Sequence, residues 1–338
     1  MTVSIVVVNW DRRDLCRACL RSLEAQTFRD FEILVVDNGS RDGSADMVER
    51  EFPAARVIRN PVNRGFCAAN NQGIALAGGR YVALLNNDAE ADPGWLAELL
   101  RAFNQGADVG MAASKILVWE NRSTIDKAGH LIYPDGQNRG RGTGEPDCGQ
   151  YDQVEETAWP DGCAAMYKKE MLDAVGGFDE DFFAYADDAE LGLRARLAGW
   201  RCLYIPTAVA YHHLGSTLGR FSPERLFLIE RNRIWLAAKL FPWPMLILTP
   251  YYFLLRAGAG AYGAAVGRGE AARFAGQQSL WLLVKCFFRA NWAALGGLPR
   301  ILAKRREVAR IRRLSSAEVR ALLRRFRIRL RDLALNAS

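Results

Sequence analysis

The sequence predicts an α/β chain built on a doubly wound, mostly parallel sheet. Short apolar runs of strand length alternate with helical periodicity through the first 120 residues. Polar residues recur where those runs end: Asn9 and Asp11, Asp37 and Asn38, and Asn86, Asn87 and Asp88. Open α/β sheets bind their ligands beyond the carboxyl ends of their strands, so this recurrence marks a site. The charge is also divided. Residues 300–338 carry thirteen Lys/Arg and three Asp/Glu, and the other 299 carry 32 basic and 35 acidic residues. A near-neutral body is therefore followed by a basic tail.

In chain order, 2–9 reads as a buried strand and 14–26 as a helix with Leu15, Cys19, Leu20 and Leu23 inward. The run 31–37 is a second buried strand, closed by the turn residues Asp37-Asn-Gly-Ser40. A helix over 44–52, a strand over 55–59, a helix over 65–77 and a strand over 81–86 follow. Pro93 suits the first position of a helix through Phe103. The run 109–117 is strand-like, whereas 120–158 is rich in Gly, Asp, Asn and Arg and reads as a long irregular excursion with room for a hairpin. Such a loop is functional or mobile. Order resumes at 161–167, with a helix over 169–175 and a strand over 202–211 that delivers His212 and His213.

Between those last two elements lies an acidic stretch ending Asp187-Asp188-Ala-Glu190, which then turns apolar at helical spacing until Gly199. Carboxylates crowded at a helix mouth repel one another, which raises a pKa toward the range of a general base. Helix capping would place acids there as well.

After Pro223 a helix over 224–241 carries Glu-Arg-Asn-Arg at its middle. A proline-broken aromatic stretch from Trp243 to Phe253 follows, then another aromatic stretch over 279–292. The charge-free part is too short for a full span, so a helix lying in the bilayer interface is expected. The last helix opens with a Ser315-Ser-Ala-Glu318 capping box and is expected to carry Val319, Leu322, Leu323, Phe326, Leu330 and Leu333 on one side and arginines on the other. The expected division is a catalytic domain over 1–240 and a hydrophobic and basic membrane-association region over 241–338.

Composition excludes several classes. Half the residues are apolar and a quarter charged, as in globular proteins. The seven cysteines are scattered, which argues against a disulfide framework, and Cys16 and Cys19 fall in a helical pattern with no second pair. The first nine residues read as a strand rather than a secretory signal. No GxGxxG turn or P-loop lysine follows the first strand. A nucleotidyltransferase would want a Gly-rich basic loop there, which is missing. A scaffold with an RNA-gripping basic tail is the non-enzymatic alternative, but arginine alternating with Leu and Phe beside an aromatic stretch favours an anionic membrane over nucleic acid.

Taken together, Val6-Val-Val-Asn9-Trp-Asp11, Val35-Val-Asp37-Asn-Gly-Ser-Arg-Asp42-Gly-Ser44, Asn60-Pro-Val-Asn63-Arg-Gly65-Phe-Cys-Ala-Ala-Asn70-Asn71, Leu84-Leu-Asn86-Asn87-Asp88, Gly176-Gly-Phe-Asp-Glu-Asp-Phe-Phe183, Asp187-Asp188-Ala-Glu190 and Tyr211-His212-His-Leu-Gly-Ser-Thr217 resemble the inverting family 2 glycosyltransferases of GT-A fold, most closely their rhamnosyltransferase-like members. The likeness covers about residues 1–240.

It implies a nucleotide-sugar donor (dTDP-rhamnose or a UDP-sugar), Mg²⁺ or Mn²⁺, and a lipid-linked or glycan acceptor. It also implies work at the cytoplasmic face of the inner membrane. By the same likeness Asn9, Asp11, Asp37, Asn38, Asn63, Gly65, Asn86 and Asn87 would hold the donor. Asp88 and His212 would hold the metal, His213 being the less suited of the pair. Asp188 would be the base, with Asp187 beside it setting its pKa. The family's DxD motif is here Asn86-Asn87-Asp88, which leaves Asp88 as its one carboxylate.

Overall fold

The computed structural model describes residues 1–214, 219 and 222–335. The Gly215-Ser-Thr217 end of the last motif lies outside the described residues. In chain order the body runs β1 (Val3–Asn9), α1 (Arg13–Glu24), β2 (Phe31–Asp37), α2 (Ser44–Glu51), β3 (Ala55–Arg59), α3 (Gly65–Leu76), β4 (Tyr81–Leu85), β5 (Ala89–Ala91), α4 (Trp95–Ala102) and β6 (Val109–Val118). Next come β7 (Ile125–Lys127), β8 (His130–Ile132), β9 (Asn138–Gly140), β10 (Glu155–Thr157), β11 (Ala164–Lys168), α5 (Lys169–Val175), α6 (Asp187–Leu197) and β12 (Arg201–His212). Five longer or shorter helices and a final short one close the chain: α7 (Pro223–Leu240), α8 (Trp243–Ala265), α9 (Gly269–Gln277), α10 (Leu280–Ile311), α11 (Ser316–Arg325) and α12 (Leu330–Leu335).

The main sheet has the order β10-β12-β6-β11-β4-β1-β2-β3. Its β3-β2-β1-β4 half is parallel, and β6 is parallel to β12. Between these blocks β11 runs antiparallel to both β4 and β6. The expectation of a mostly parallel sheet is thereby corrected to a mixed one. The chain reaches β11 from the 120–158 excursion rather than through a crossover helix, and only such a crossover forces neighbouring strands parallel.

Helices cover both faces, with one apolar core on each. In α1 the buried residues are Cys16, Cys19, Leu20 and Leu23, at i, i+3, i+4 and i+7. The CxxC is thus core packing, and burial pushes the Cys16 thiol up to about 12, far from reactive. Pro93 lies just before α4, whose cap is Gly94, rather than at its first position. The basic terminal helix divides: α11 ends at Arg325 because Ile328 N–H turns aside to donate to Ile132 O at 3.0 Å.

The C-terminal helices share the body's core. Trp235 and Phe241 are buried in one cluster with Ala294, Ile301, Val308, Val319 and Leu323. Buried charges cross the boundary at 240 as well. Arg256 of α8 pairs with Glu230 and Asp135, at 2.9 and 2.7 Å. Lys304 of α10 joins Lys239 on Asp179. Among the described residues no helix is long and apolar enough to cross a membrane.

Candidate active site

Two groups of polar residues meet at the carboxyl edge of the parallel strands. The first lies between β1, β2 and α3. Asn9 and Asp37 are register partners, and the Asn9 amide donates to Ser40 Oγ at 3.2 Å. Asp37 Oδ2 accepts from Ser40 N–H at 3.2 Å, and Asp11 Oδ1 accepts from Arg41 N–H at 2.6 Å. Asn38 donates to Asn63 Oδ1 at 2.9 Å and accepts from Asn60, while Asn63 Oδ1 also accepts from Gly65 N–H at 2.8 Å. Asn87 donates to Asn9 Oδ1 at 2.7 Å. Asn9, Asn38 and Asn87 are buried with their amides spent on neighbouring residues, Asn87 on Asn9 and Asn38 on Asn60 and Asn63, so they frame this subsite. Its accessible acid and amide are Asp11 and Asn63. Gly65 has φ +85°, and a Cβ there would meet the Phe183 ring at 2.5 Å, so only glycine brings α3 this close.

The second group lines a cavity of about 400 Å³ that contains Asn86, Asp88, Asp126, Lys127, His130, Asp161, Asp187, Asp188 and His212. Local pairing explains each placement. Antiparallel pairing of β5 with β12 sets His212 opposite Ala89, so His212 Nε2 lies 3.5 Å from Asp88 Oδ1. The strand β7 folds back on the end of β6 and presents Asp126, whose Oδ2 is 2.8 Å from His212 Nδ1. Lys127 Nζ lies 3.4 Å from Asp126 Oδ2 and 2.9 Å from Asp161 Oδ2. His130 Nε2 lies 2.9 Å from Asp161 Oδ2 and 3.5 Å from Asp188 Oδ2. A continuous charged chain thus runs Asp88, His212, Asp126, Lys127, Asp161, His130, Asp188. The structure brings together Asp88, His212, Asp187, Asp188 and Asn86 as the sequence leads one to expect. His213 turns the other way, stacked on Trp119 with centroids 4.3 Å apart.

The loop before α6 is strained: Phe183, Tyr185 and Ala186 have φ of 66°, 67° and 56°. Asn232, fully buried on α7, clamps it by donating to the carbonyls of Phe182, Ala184 and Tyr185 at 2.9, 2.9 and 2.7 Å. The helix cap is Ala186, with no side-chain bond, and Asp188 Oδ1 accepts from the first-turn N–H of Ala189 at 2.7 Å.

Electrostatics differentiate the two aspartates. Burial, then the neighbouring Asp188, pushes Asp187 well above the ordinary carboxylate range. Burial also raises Asp188, but His130 and Lys127 restrain it. Asp187 therefore keeps its proton where Asp188 gives its own up. Burial opposes charging His212, yet Cys163, Asp126 and Asp88 hold its pKa well above the usual imidazole value.

A divalent ion fits at Asp88 and His212. Asp88 Oδ1 is buried without a hydrogen-bond partner and faces His212 Nε2, while Asp126 holds the other ring nitrogen. A carboxylate orienting a ligating imidazole is the usual outer support of a metal site. Atoms of His130, Asp161 and Asp188 also converge within 4.8 Å, but the Lys127 ammonium already compensates that cluster.

Sequence reasoning missed Asp126, Lys127, His130 and Asp161, and it left Asn232 without a role. Three of these five lie in the irregular 120–158 stretch, where no periodicity assigns a facing, and Asp161 lies just beyond it. The chain has three histidines, and His130 was the one left without a partner, which was the available signal.

The sequence profile described as Glycosyl transferase family 2 matches residues 4–175, half of the chain. The "Uncharacterized protein y4gI" of Sinorhizobium fredii is 31% identical over 248 residues, 68% of this chain and 26% of that protein. The "O-antigen biosynthesis protein RfbC" of Myxococcus xanthus is 31% identical over 264 residues, 73% of this chain. This chain thus spans about a quarter and a fifth of those two relatives. The "N-acetylglucosaminyl-diphospho-decaprenol L-rhamnosyltransferase" of Mycobacterium tuberculosis is 26% identical over 267 residues, 70% of this chain and 87% of that one. Among solved structures, the mannosyltransferase PcManGT from Pyrobaculum calidifontis, in complex with GDP-Man and Mn²⁺, superposes with TM-score 0.54 at 19% identity, covering 88% of this chain and 86% of that one. That likeness establishes the GT-A type of fold.

Proposed function

The chain belongs to glycosyl transferase family 2, and from that premise we propose that it is an inverting, metal-dependent enzyme moving a sugar from a nucleotide-sugar donor to a lipid-linked or polysaccharide acceptor in bacterial cell-surface glycan synthesis. The observation that carries the reading is the single cavity joining Asp188, beside a proton-retaining Asp187, to the Asp88 and His212 pair.

In this reading Asp188 takes the proton of an acceptor hydroxyl. The freed oxygen attacks the anomeric carbon in line, and the carbon–phosphate oxygen bond breaks with its electron pair leaving on the nucleoside diphosphate. Asp187, the harder of the pair to ionise, would lie beside Asp188 at the acceptor. Asp88 and His212 would hold Mg²⁺ or Mn²⁺, which supplies charge neutralisation to the departing diphosphate. Asp11, Asp37 and Asn63 would contact the base and ribose, held by the asparagine frame around Asn38.

The donor we propose is a deoxysugar nucleotide, dTDP-rhamnose, with UDP-sugars second. Support comes from the named activity of the mycobacterial relative. We place the enzyme on the cytoplasmic face of the inner membrane as a peripheral or monotopic protein, with 241–338 as its membrane-facing part. In support, Trp243, Ile247, Tyr251 and Leu254 of α8 form an exposed apolar stripe at helical spacing, and Trp281, Phe288, Trp292 and Leu295 form another on α10. Incubation with a nucleotide-sugar panel and Mn²⁺, Mg²⁺ or EDTA, followed by NMR of the product, tests the whole. Inversion at the anomeric carbon and metal-dependent release of nucleoside diphosphate are expected; retained configuration contradicts the mechanism.

A further inference from the structure

A second cavity, of about 190 Å³, lies on the far side of the hairpin that carries His130. It sits between the residues following β8, the start of α8 and the helix α11. Its walls are apolar, including Tyr133, Met245, Leu248 and Leu323, and its rim carries three arginines, Arg320, Arg324 and Arg327. None of the three pairs with a carboxylate among the described residues. The Arg327 guanidinium lies over the rings of Tyr133 and Tyr252, at 5.9 and 5.5 Å, and Arg324 Nε donates to a backbone carbonyl. Three cations close together without acids repel one another, and a rim of this kind is stabilised by an anion. Leu248, half exposed, joins the cavity to the apolar stripe of α8.

We propose that this cavity binds one anionic phospholipid of the bilayer. The phosphate would sit among Arg320, Arg324 and Arg327. The glyceryl and first acyl methylenes would enter the apolar chamber, and the chains would continue along Ile247, Tyr251 and Leu254. The inference rests on the membrane-surface reading above and adds to it a discrete, saturable site. Inorganic phosphate could satisfy the arginines but gains nothing from the chamber. Within the cavity itself RNA would find no open aromatic face to stack on, because Tyr133 is buried and Arg327 lies over Tyr252. The position has a consequence for catalysis. Ile132 exchanges backbone hydrogen bonds with Phe326 and Ile328, at 2.9 and 3.0 Å, and belongs to the same three-residue strand as His130. A lipid seated there holds the catalytic cavity at the bilayer surface.

The test uses the full chain. Vesicle flotation compares phosphatidylcholine with phosphatidylcholine containing phosphatidylglycerol. Calorimetry titrates dihexanoyl-phosphatidylglycerol and dihexanoyl-phosphatidylcholine below any micelle concentration, and inorganic phosphate and a short RNA beside them. Three variants are compared: Arg320→Gln with Arg324→Gln and Arg327→Gln; the equal-charge control Arg306→Gln with Arg310→Gln and Arg313→Gln; and Leu248→Trp, which fills the chamber. Melting curves verify that each is folded. We expect one molecule of the soluble anionic lipid to bind per chain. The rim variant should lose on the order of 100-fold in affinity, since each basic residue near an anionic surface contributes roughly fivefold. The control should keep it, and Leu248→Trp should lose the soluble lipid while still adsorbing to vesicles. Equal losses in rim and control variants would overturn the site while leaving diffuse membrane adsorption standing. Equal binding of inorganic phosphate or of a short RNA would also overturn it. Failure of the parent protein to float with anionic vesicles removes the membrane reading and this site together.

Discussion

His130 Nε2 lies 3.5 Å from Asp188 Oδ2, at the end of the charged chain that begins at Asp88. Asp188 is raised by burial and restrained by His130 and Lys127. Transfer therefore rises with pH as Asp188 deprotonates, along a limb set above the ordinary carboxylate value. In His130→Gln one restraint is gone, so the limb should move to higher pH and the rate at neutral pH should fall about tenfold. A kcat/KM profile between pH 4 and 9 measures this. An unshifted limb would show that His130 is only packing.

Replacing the base itself is a sharper test. Asp188→Asn keeps the shape and cannot accept a proton, so on the order of 10²–10⁴-fold should be lost from kcat with donor affinity unchanged. Burial and the neighbouring Asp188 make Asp187 the harder of the two to ionise, so Asp187→Asn should retain activity to within about tenfold. The reverse pattern would reassign the base to Asp187, and two active variants would make the acid pair structural.

At the metal position, Asp88→Ala should abolish the Mn²⁺-dependent part of nucleoside-diphosphate binding. Of the two His212 nitrogens Asp126 touches the outer one, at 2.8 Å, and not the one that faces Asp88. Asp126→Asn should therefore weaken Mn²⁺ affinity roughly 10–100-fold without removing it. Calorimetry and Mn²⁺ resonance with and without EDTA read both effects. Indifference of all variants to the chelator would sink the assignment.

The loop that aims α6 depends on Asn232. Its three hydrogen bonds to carbonyls of 182, 184 and 185 hold residues with positive φ. Asn232→Leu takes the donor from the Ala184 and Tyr185 carbonyls, while Phe182 O keeps its bonds from Arg231 and the Ala184 N–H, and should cost about 2–4 kcal/mol of stability. It should also lower kcat more than it raises KM for the donor, because the donor frame is built elsewhere. A thermal melt together with steady-state kinetics separates the two effects.

Acid should unfasten the C-terminal helices. Burial would raise Glu230, but Arg256 and Arg233 hold it down at about 2. Its stabilising contribution is complete above the unfolded value near 4.5 and is lost as pH falls toward 2. For this buried group the shift corresponds to about 3 kcal/mol. Acid unfolding followed by Trp fluorescence should therefore shift in Glu230→Gln, with stability flatter across that window. The same pairing ties α8 to α7, so a chain ended at Leu240 would expose Trp235 and Leu236 and is expected to aggregate.

The sequence alone determined the elements whose periodicity is self-contained: the parallel half of the sheet, Cys19, Leu20 and Leu23 on the buried face of α1, the turn at Asp37-Asn-Gly-Ser40 and the strand-end placement of Asp88 and His212. Those features follow from the side chains' own alternation between water and core. Only the tertiary structure decided which polar residues meet. The antiparallel insertion of β11, the return of β7 onto β6 and the bracing of β8 by residues 326–328 rest on pairings far apart in the chain, and hydrogen-bonded backbone carries no mark of its partner. Asp126, Lys127, His130 and Asp161 became a site for that reason: their charges are stable in a buried place only beside one another. No stretch of sequence contains that neighbourhood until the sheet has closed around it.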